Sequence, residues 1–315
     1  MKKYSSYLGL LISIIYSLAI RYAAEFGYID INSASYLVIV PIIVGFIPFF
    51  YNAESFIKNV FECILFPLFS TLLFLLIAVI THIEELLCFI IIGLPYIIVS
   101  IIVSLMIRIY KMNRMPQNIN RNYLPPLLIL PLLTGVIEKN TKETNIDYTT
   151  ETSIIMNANN KEIWANLHAV PNLSGYTTTG YLNRMGIPKP VRSDYDSVKN
   201  VRLGYFDNGI VLNEKVIEEK YGQKLSFSID FSRSVLKNSP TIENVIKEKS
   251  IQFEKISYEL IPINNNRTEV RLSCKYTIKS NLQSYGSFLA DAILSDFETN
   301  LLNSLKSKIE NNTKQ

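Results

Sequence analysis

The segment Thr268–Ile309, TEVRLSCKYTIKSNLQSYGSFLADAILSDFETNLLNSLKSKI, carries two hydrophobic periods in succession. In its first part Val270, Leu272, Cys274, Tyr276 and Ile278 alternate with Arg271, Ser273, Lys275 and Thr277. A period of two puts one side of a strand in a core and the other in water. From Leu282 to Ile309 the period lengthens, and Phe288, Leu289, Ala292, Ile293, Phe297, Leu301, Leu302, Leu305 and Ile309 fall on one predicted helical stripe. About 28 residues at ~1.5 Å each make a helix of ~42 Å. Such a helix has to lie across the apolar face of a sheet to bury its stripe.

Upstream of this segment the same alternation recurs. Strands are expected over Thr149–Met156, Val201–Phe206, Ile210–Glu219, Lys224–Phe231 and Ile251–Leu260, with turns at Gly209, at Gly222-Gln223 and at Asn264-Asn265-Asn266. Leu225, Phe227, Ile229 and Phe231 alternate with Ser226, Ser228 and Asp230, which marks an antiparallel sheet with one wet face. A short helix over Lys161–Val170, capped by Asn157, Asn159 or Asn160 and stopped by Pro171, follows the first strand. The stretch Asn172–Asn200 reads as a long irregular loop, and a loop of that size in a compact domain is usually functional. Lys237–Lys249 reads as a charged, solvated excursion.

The N-terminal part of the chain has a different composition. The 315 residues are 49% hydrophobic and 18% charged, with a formal net charge of +4 and a mean hydropathy of +0.20. Residues 1–137 contain only 8 Lys/Arg and 6 Asp/Glu, against 23 and 21 in the rest. Apolar runs at Tyr4–Ile20, Ala34–Tyr51, Val60–Thr81 and Leu86–Ile107 read as membrane helices, which need ~20 apolar residues to cross ~30 Å of hydrocarbon. A fifth run, Tyr123–Ile137, is short and contains Pro125, Pro126 and Pro131. Four to five helices are therefore expected in residues 1–137, followed by a linker over 138–147, a domain over 148–311 and a tail over 312–315. Lys2, Lys3, Arg108, Lys111, Arg114 and Arg121 mark one side of the membrane as cytoplasmic. The C-terminal domain is then extracytoplasmic with five spans and cytoplasmic with four. Glu54, Lys58, Glu62, Glu84 and Glu85 fall at helix ends or in short loops, so this part reads as an anchor or lipid-facing platform.

Several chemistries lack their residues. Three Cys without a paired spacing give no disulfide framework. The two His, His82 and His168, lie in different halves, so no metal site is expected. There is no phosphate-cradling glycine loop and no Gly-x-Ser-x-Gly. No cofactor is expected, and the small net charge argues against nucleic acid.

The order strand, short helix, loop, antiparallel hairpins and long terminal helix resembles the helix-grip fold of the START-like superfamily, also called SRPBCC. That group includes polyketide cyclase/dehydrase-like and lipid-transfer proteins. The resemblance rests on Thr152-Ser153-Ile154-Ile155 leading to Lys161-Glu162-Ile163-Trp164, on Gly186-Ile187-Pro188-Lys189-Pro190, and on Arg202-Leu203-Gly204-Tyr205-Phe206. Asn208-Gly209, Glu214-Lys215-Val216 and the helix with Tyr285, Leu289-Ala290-Asp291, Asp296-Phe297 and Leu302 complete it. It covers about residues 148–311 and looks like a membrane-anchored bacterial branch. The resemblance implies a curved antiparallel sheet wrapped on the C-terminal helix, with an apolar ligand between them.

Under that fold Trp164, Glu214, Phe227, Ile229, Leu272, Cys274, Tyr276, Phe288 and Ala292 are expected to line a cavity, and Tyr181, Gly186, Pro188 and Pro190 to belong to a lid loop. Glu214 shares a strand face with Ile210, Leu212 and Val216. If that face is inward its carboxylate is desolvated, and its pKa rises unless Arg202 or Arg271 pairs with it. No second catalytic group stands at a recognisable spacing. The expected role is binding, carrying or sensing a hydrophobic small molecule or lipid at a bilayer. The alternatives are a cyclase- or hydratase-like enzyme with Glu214 as general base, and a ligand-free interaction domain for a membrane partner.

Overall fold

The computed structural model describes residues 2–112, 119–140, 145–176, 180–236, 243, 246, 250–280 and 282–312. The chain forms two compact units, Met1–Glu143 and Thr144–Gln315.

The first unit is helical: α1 Lys2–Glu25, α2 Val40–Lys58, α3 Val60–Ile80, α4 Cys88–Ile91, α5 Gly93–Met112 and α6 Leu124–Lys139. A π-turn, Ser35–Ile39, leads into α2. Among the described residues, four helical segments are long and apolar enough to cross a membrane: Tyr7–Glu25, Ser35–Lys58, Val60–Ile80 and Phe89–Met112. The prolines of the fifth apolar run do not prevent a helix, since Pro125 and Pro126 fall in its first turn, where a missing N–H costs nothing. The resulting α6 has 16 residues, which at ~1.5 Å each is ~24 Å.

Close backbone approach holds α2 on α5. A Cβ on Gly45 would stand 2.6 Å from the Ser100 carbonyl oxygen, so only glycine fits. Glu138, at the end of α6, accepts hydrogen bonds from the Ala34 and Ser35 amides (2.8 and 2.9 Å) and from the Ser35 hydroxyl (2.7 Å). It thereby caps the four-donor end that every helix start leaves open. Charge is not confined to the rim of this unit. Arg21, four residues before the end of α1, is 2% exposed, pairs with the buried Glu84, and donates to Glu25 (2.9 Å) and to the Ile83 carbonyl (3.3 Å).

The second unit is a seven-stranded antiparallel sheet in the order β1-β7-β6-β5-β4-β3-β2. Its strands are β1 Asn145–Met156, β2 Pro190–Asp196, β3 Val201–Phe206, β4 Val211–Lys220, β5 Lys224–Ile229, β6 Ile251–Asn264 and β7 Arg267–Lys279. Two short helices, α7 Asn160–Trp164 and α8 Tyr181–Arg184, lie between β1 and β2, and the long helix α9 runs Gln283–Asn312. This is the helix-grip arrangement, a curved antiparallel sheet on a long C-terminal helix.

The alternation of β7 is realised at every position, with Thr268, Val270, Leu272, Cys274, Tyr276 and Ile278 buried. The other face carries ion pairs, such as Lys275 to Asp147 (3.1 Å) and Glu254 (2.7 Å), and Lys224 to Glu259 (2.7 Å). α7 is shorter than the expected helix. Asn159 and Glu162 form its capping box, and after Trp164 the chain passes into turns.

Part of the expected irregular loop is structured. Pro190–Asp196 is strand β2 at the sheet edge, paired with β3, so Pro190 belongs to a strand and not to a lid. An edge strand with proline at its first residue loses no ladder hydrogen bond. Most of the Lys237–Lys249 excursion and residues 177–179 of the loop lie outside the described residues.

Candidate functional site

The apolar face of the sheet meets α9 through two buried clusters. One gathers Met156, Trp164, Phe227, Tyr258, Leu272, Leu302 and Leu305, and the other Cys274, Tyr276, Ile278 and Ala290. Ile256 packs against both and is itself only half-buried. It lies directly opposite Cys274 in the register, hence on the same inward face.

Among the described residues, three acidic or basic side chains are buried on this side. Arg202 of β3 and Glu214 of β4 are each 7% exposed and directly opposite one another. The Arg202 Nε lies 3.3 Å from the Glu214 Oε2. Its single N–H is spent on the Ser193 hydroxyl at 2.9 Å, so the contact with Glu214 is ionic and Oε2 has no hydrogen-bond partner among the described residues. The guanidinium also lies over the Phe227 ring, 4.7 Å from its centroid, a placement that suits a planar cation over a π face. Gly204 makes room for the carboxylate, since a Cβ there would approach the Glu214 Oε1 to 3.2 Å. Burial raises the Glu214 pKa, and Arg202 offsets part of the rise.

The third group is Glu298, on the sheet-facing side of α9 and 2% exposed. Its Oε2 accepts from the Thr152 hydroxyl of β1 at 2.8 Å, while Oε1 is buried with no hydrogen-bond partner among the described residues. Burial pushes its carboxyl up to about 7; the Thr152 hydrogen bond works against this, and Asp291 and Glu151 add to it. Arg202, Glu214 and Glu298 all act on the Tyr258 hydroxyl, whose pKa is raised chiefly by burial.

Of the residues expected to line a cavity, Trp164, Glu214, Phe227, Leu272, Cys274 and Tyr276 are buried and Ile229 is half-buried. Phe288 and Ala292 stand on the opposite face of α9. Phe288 is 64% exposed, and Ala292 is exposed as well. The reason is helical phase. Ala290 faces the sheet, and two residues in either direction, at ~100° each, reach the far side. In the expected lid, Gly186 is exposed with φ of 109° and Pro188 is buried. The side chain of Tyr181 lies outside the described residues. Sequence offered Arg202 only as one of two possible partners for Glu214, the other being Arg271, and did not single out Glu298. An isolated charge in a strand or helix reads as surface, and only register and phase bring these two inside.

No protein-family model matches the chain, and no curated protein matches it. Among solved structures the chain is similar to a START superfamily protein from Mycobacterium smegmatis, at 6% identity and a TM-score of 0.36, covering 52% of this chain and 97% of that one. A norcoclaurine synthase from Thalictrum flavum is similar at 9% identity and a TM-score of 0.36, covering 55% and 99%. An uncharacterised protein from Bacillus thuringiensis is similar at 14% identity and a TM-score of 0.32, covering 51% and 98%.

Proposed function

We propose that this chain is a membrane-anchored binding module that carries or senses an apolar small molecule or lipid between the inward face of its sheet and α9. The observation that carries this reading is the Arg202–Glu214 pair, buried beside accessible apolar surface at Ile256. A buried ion pair is poor as a stabiliser, because desolvation offsets most of its attraction. Ligand sites, in contrast, are mostly apolar with a few placed polar groups that fix orientation. The START-like resemblance of the sequence points the same way.

The four long apolar helices supply the anchor. We read α6 as a fifth crossing, which puts the C-terminal unit on the extracytoplasmic side of a bacterial cytoplasmic membrane. Binding rather than chemistry is the expected activity, because Glu214 is tied to a cation and has no substrate-facing partner that would make it a free base.

The test is to purify the full chain in detergent and examine it by native mass spectrometry and solvent extraction. A co-purifying apolar molecule, lost on replacing Phe227 and Leu272 by larger Trp and Phe, supports the reading. A chain that binds neither co-purifying nor added apolar molecules refutes it and leaves an interaction domain.

A further inference from the structure

We propose that the ligand held between the sheet and α9 carries an amine, and that its ammonium group pairs with Glu298. The inference rests on the ligand-binding reading above and deepens it.

The buried charges on this side do not balance. Arg202 and Glu214 neutralise one another at 3.3 Å. Among the described residues Glu298 has no such partner. It is 2% exposed, its only hydrogen bond comes from the neutral Thr152 hydroxyl, and Oε1 meets no donor among the described residues. The other groups acting on it are Asp291 on its own helix and Glu151 on β1, both acidic. From β7 it faces the Cys274 thiol and from β6 the Tyr258 hydroxyl. No cation is among these described groups, and Arg202, which acts on the same Tyr258 hydroxyl, is paired with Glu214.

A buried carboxylate is tolerated when it is paired or protonated. A proton satisfies Glu298 in the empty protein, in line with a carboxyl pushed up to about 7. A bound ammonium supplies both the missing charge and up to three donors, enough to reach Oε1. The half-buried Ile256, opposite Cys274 on the same inward face, offers apolar surface for the rest of the molecule. An acid or a phosphate would meet Glu298, Asp291 and Glu151 as like charges.

The test uses the full chain in phosphatidylcholine nanodiscs, with empty nanodiscs as background. The probes are 2-(2-naphthyl)ethylamine and its neutral counterpart 2-(2-naphthyl)ethanol, and binding is read by calorimetry. Wild-type protein is expected to bind the amine at least tenfold more tightly than the alcohol at pH 8. Glu298→Gln is expected to abolish the preference and leave alcohol binding in place. Amine affinity is expected to fall between pH 8 and pH 5.5 as Glu298 takes up its own proton, with the alcohol unaffected. This pH profile needs no variant, so it decides the matter if Glu298→Gln does not fold. Equal binding of the two probes overturns the amine while leaving the ligand-binding reading intact. A preference that survives Glu298→Gln overturns the assignment to Glu298. Binding of neither probe overturns both.

Discussion

Arg202 and Glu214 face each other across β3 and β4 on the apolar side of the sheet, 3.3 Å apart, with the guanidinium over the Phe227 ring. Among the described residues each is the only full opposite charge the other meets at that range, so removing one leaves the other buried and uncompensated. Arg202→Met is expected to cost about 3–5 kcal/mol, and Arg202→Met with Glu214→Leu to regain most of it. Trp164 is the chain's single tryptophan and is buried in the same cluster, so its fluorescence during thermal unfolding reports on this unit. At roughly 2–4 °C per kcal/mol for a domain of this size, the single variant melts ~10 °C lower. Equal melting of single and double variants would show that the pair is not coupled.

Glu298 sets a pH dependence with a definite sign. Its pKa in the folded chain is about 7, above the ~4.3 of an unfolded glutamate. The folded state therefore holds the proton more tightly. Its contribution to stability is full below pH ~4 and is lost as pH rises through 7. A shift of that size corresponds to a loss of roughly 3 kcal/mol by pH 8. Glu298→Gln is expected to melt higher than wild type at pH 8 and to flatten the dependence between pH 5 and 8. A variant that keeps the wild-type slope would place the titrating group elsewhere.

Cys274 should be chemically silent in the folded chain. Burial pushes its thiol up to about 12, with the charge of Glu298 adding to the effect, and it is the thiolate that reacts. N-ethylmaleimide at pH 8 is expected to leave Cys274 unmodified for hours and to label it fully after denaturation. Peptide mass spectrometry separates it from the other two cysteines. Rapid labelling of native protein would mean that the sheet opens at β7.

The two faces of α9 predict contrasting effects. Leu302 is fully buried against the sheet, while Phe288 is largely exposed. Leu302→Ala is expected to cost about 2–5 kcal/mol through lost burial and the cavity left behind. Phe288→Ser should stay within about 0.5 kcal/mol, as surface changes usually do. A large loss for Phe288→Ser would mean that this face is covered by something outside the described chain.

The same contrast shows what was readable in the residues. β5 and β7 could be traced because one face is apolar and the other polar without interruption, and that is the signature of a half-buried strand. β2 could not. In Pro190–Asp196 only Ser193 is buried, and Arg192, Asp194 and Asp196 give an edge strand the look of a loop. The length of α9 was evident, but its phase was blurred, because Phe288 and Ala292 thicken the apolar stripe on the side away from Ala290. The buried charges were the least legible. Glu214 was traced through the alternation of β4, whereas Arg202 gains its partner from strand register and Glu298 from packing over a sequence separation of 146 residues to Thr152.

The proposal that α6 crosses the membrane, and so puts the C-terminal unit outside, is supported by how α6 is tied within the helical unit. The Ile119 amide, just before α6, donates to the Phe49 carbonyl in the second half of α2 (3.1 Å). At its other end Glu138 caps Ala34 and Ser35, where the chain enters α2. The chain from Ile119 to Glu138 therefore runs antiparallel to the segment from Ser35 to Phe49, in the middle of α2. Ile129, Leu133, Val136 and Ile137 point outward from α6 as an apolar face suited to lipid. Its 16 residues span ~24 Å, short of a ~30 Å core, a mismatch that a bilayer accommodates by local thinning at modest cost. Lys2 and Lys3 open α1 and Arg108 and Lys111 fall near the end of α5, and on the proposed topology this basic excess is the cytoplasmic side. Cysteines placed at the exposed Ser153 and Asn265 are expected to react with a membrane-impermeant maleimide from outside intact spheroplasts. Labelling only after permeabilisation would mean that α6 turns back without crossing, and that the C-terminal unit faces the cytoplasm.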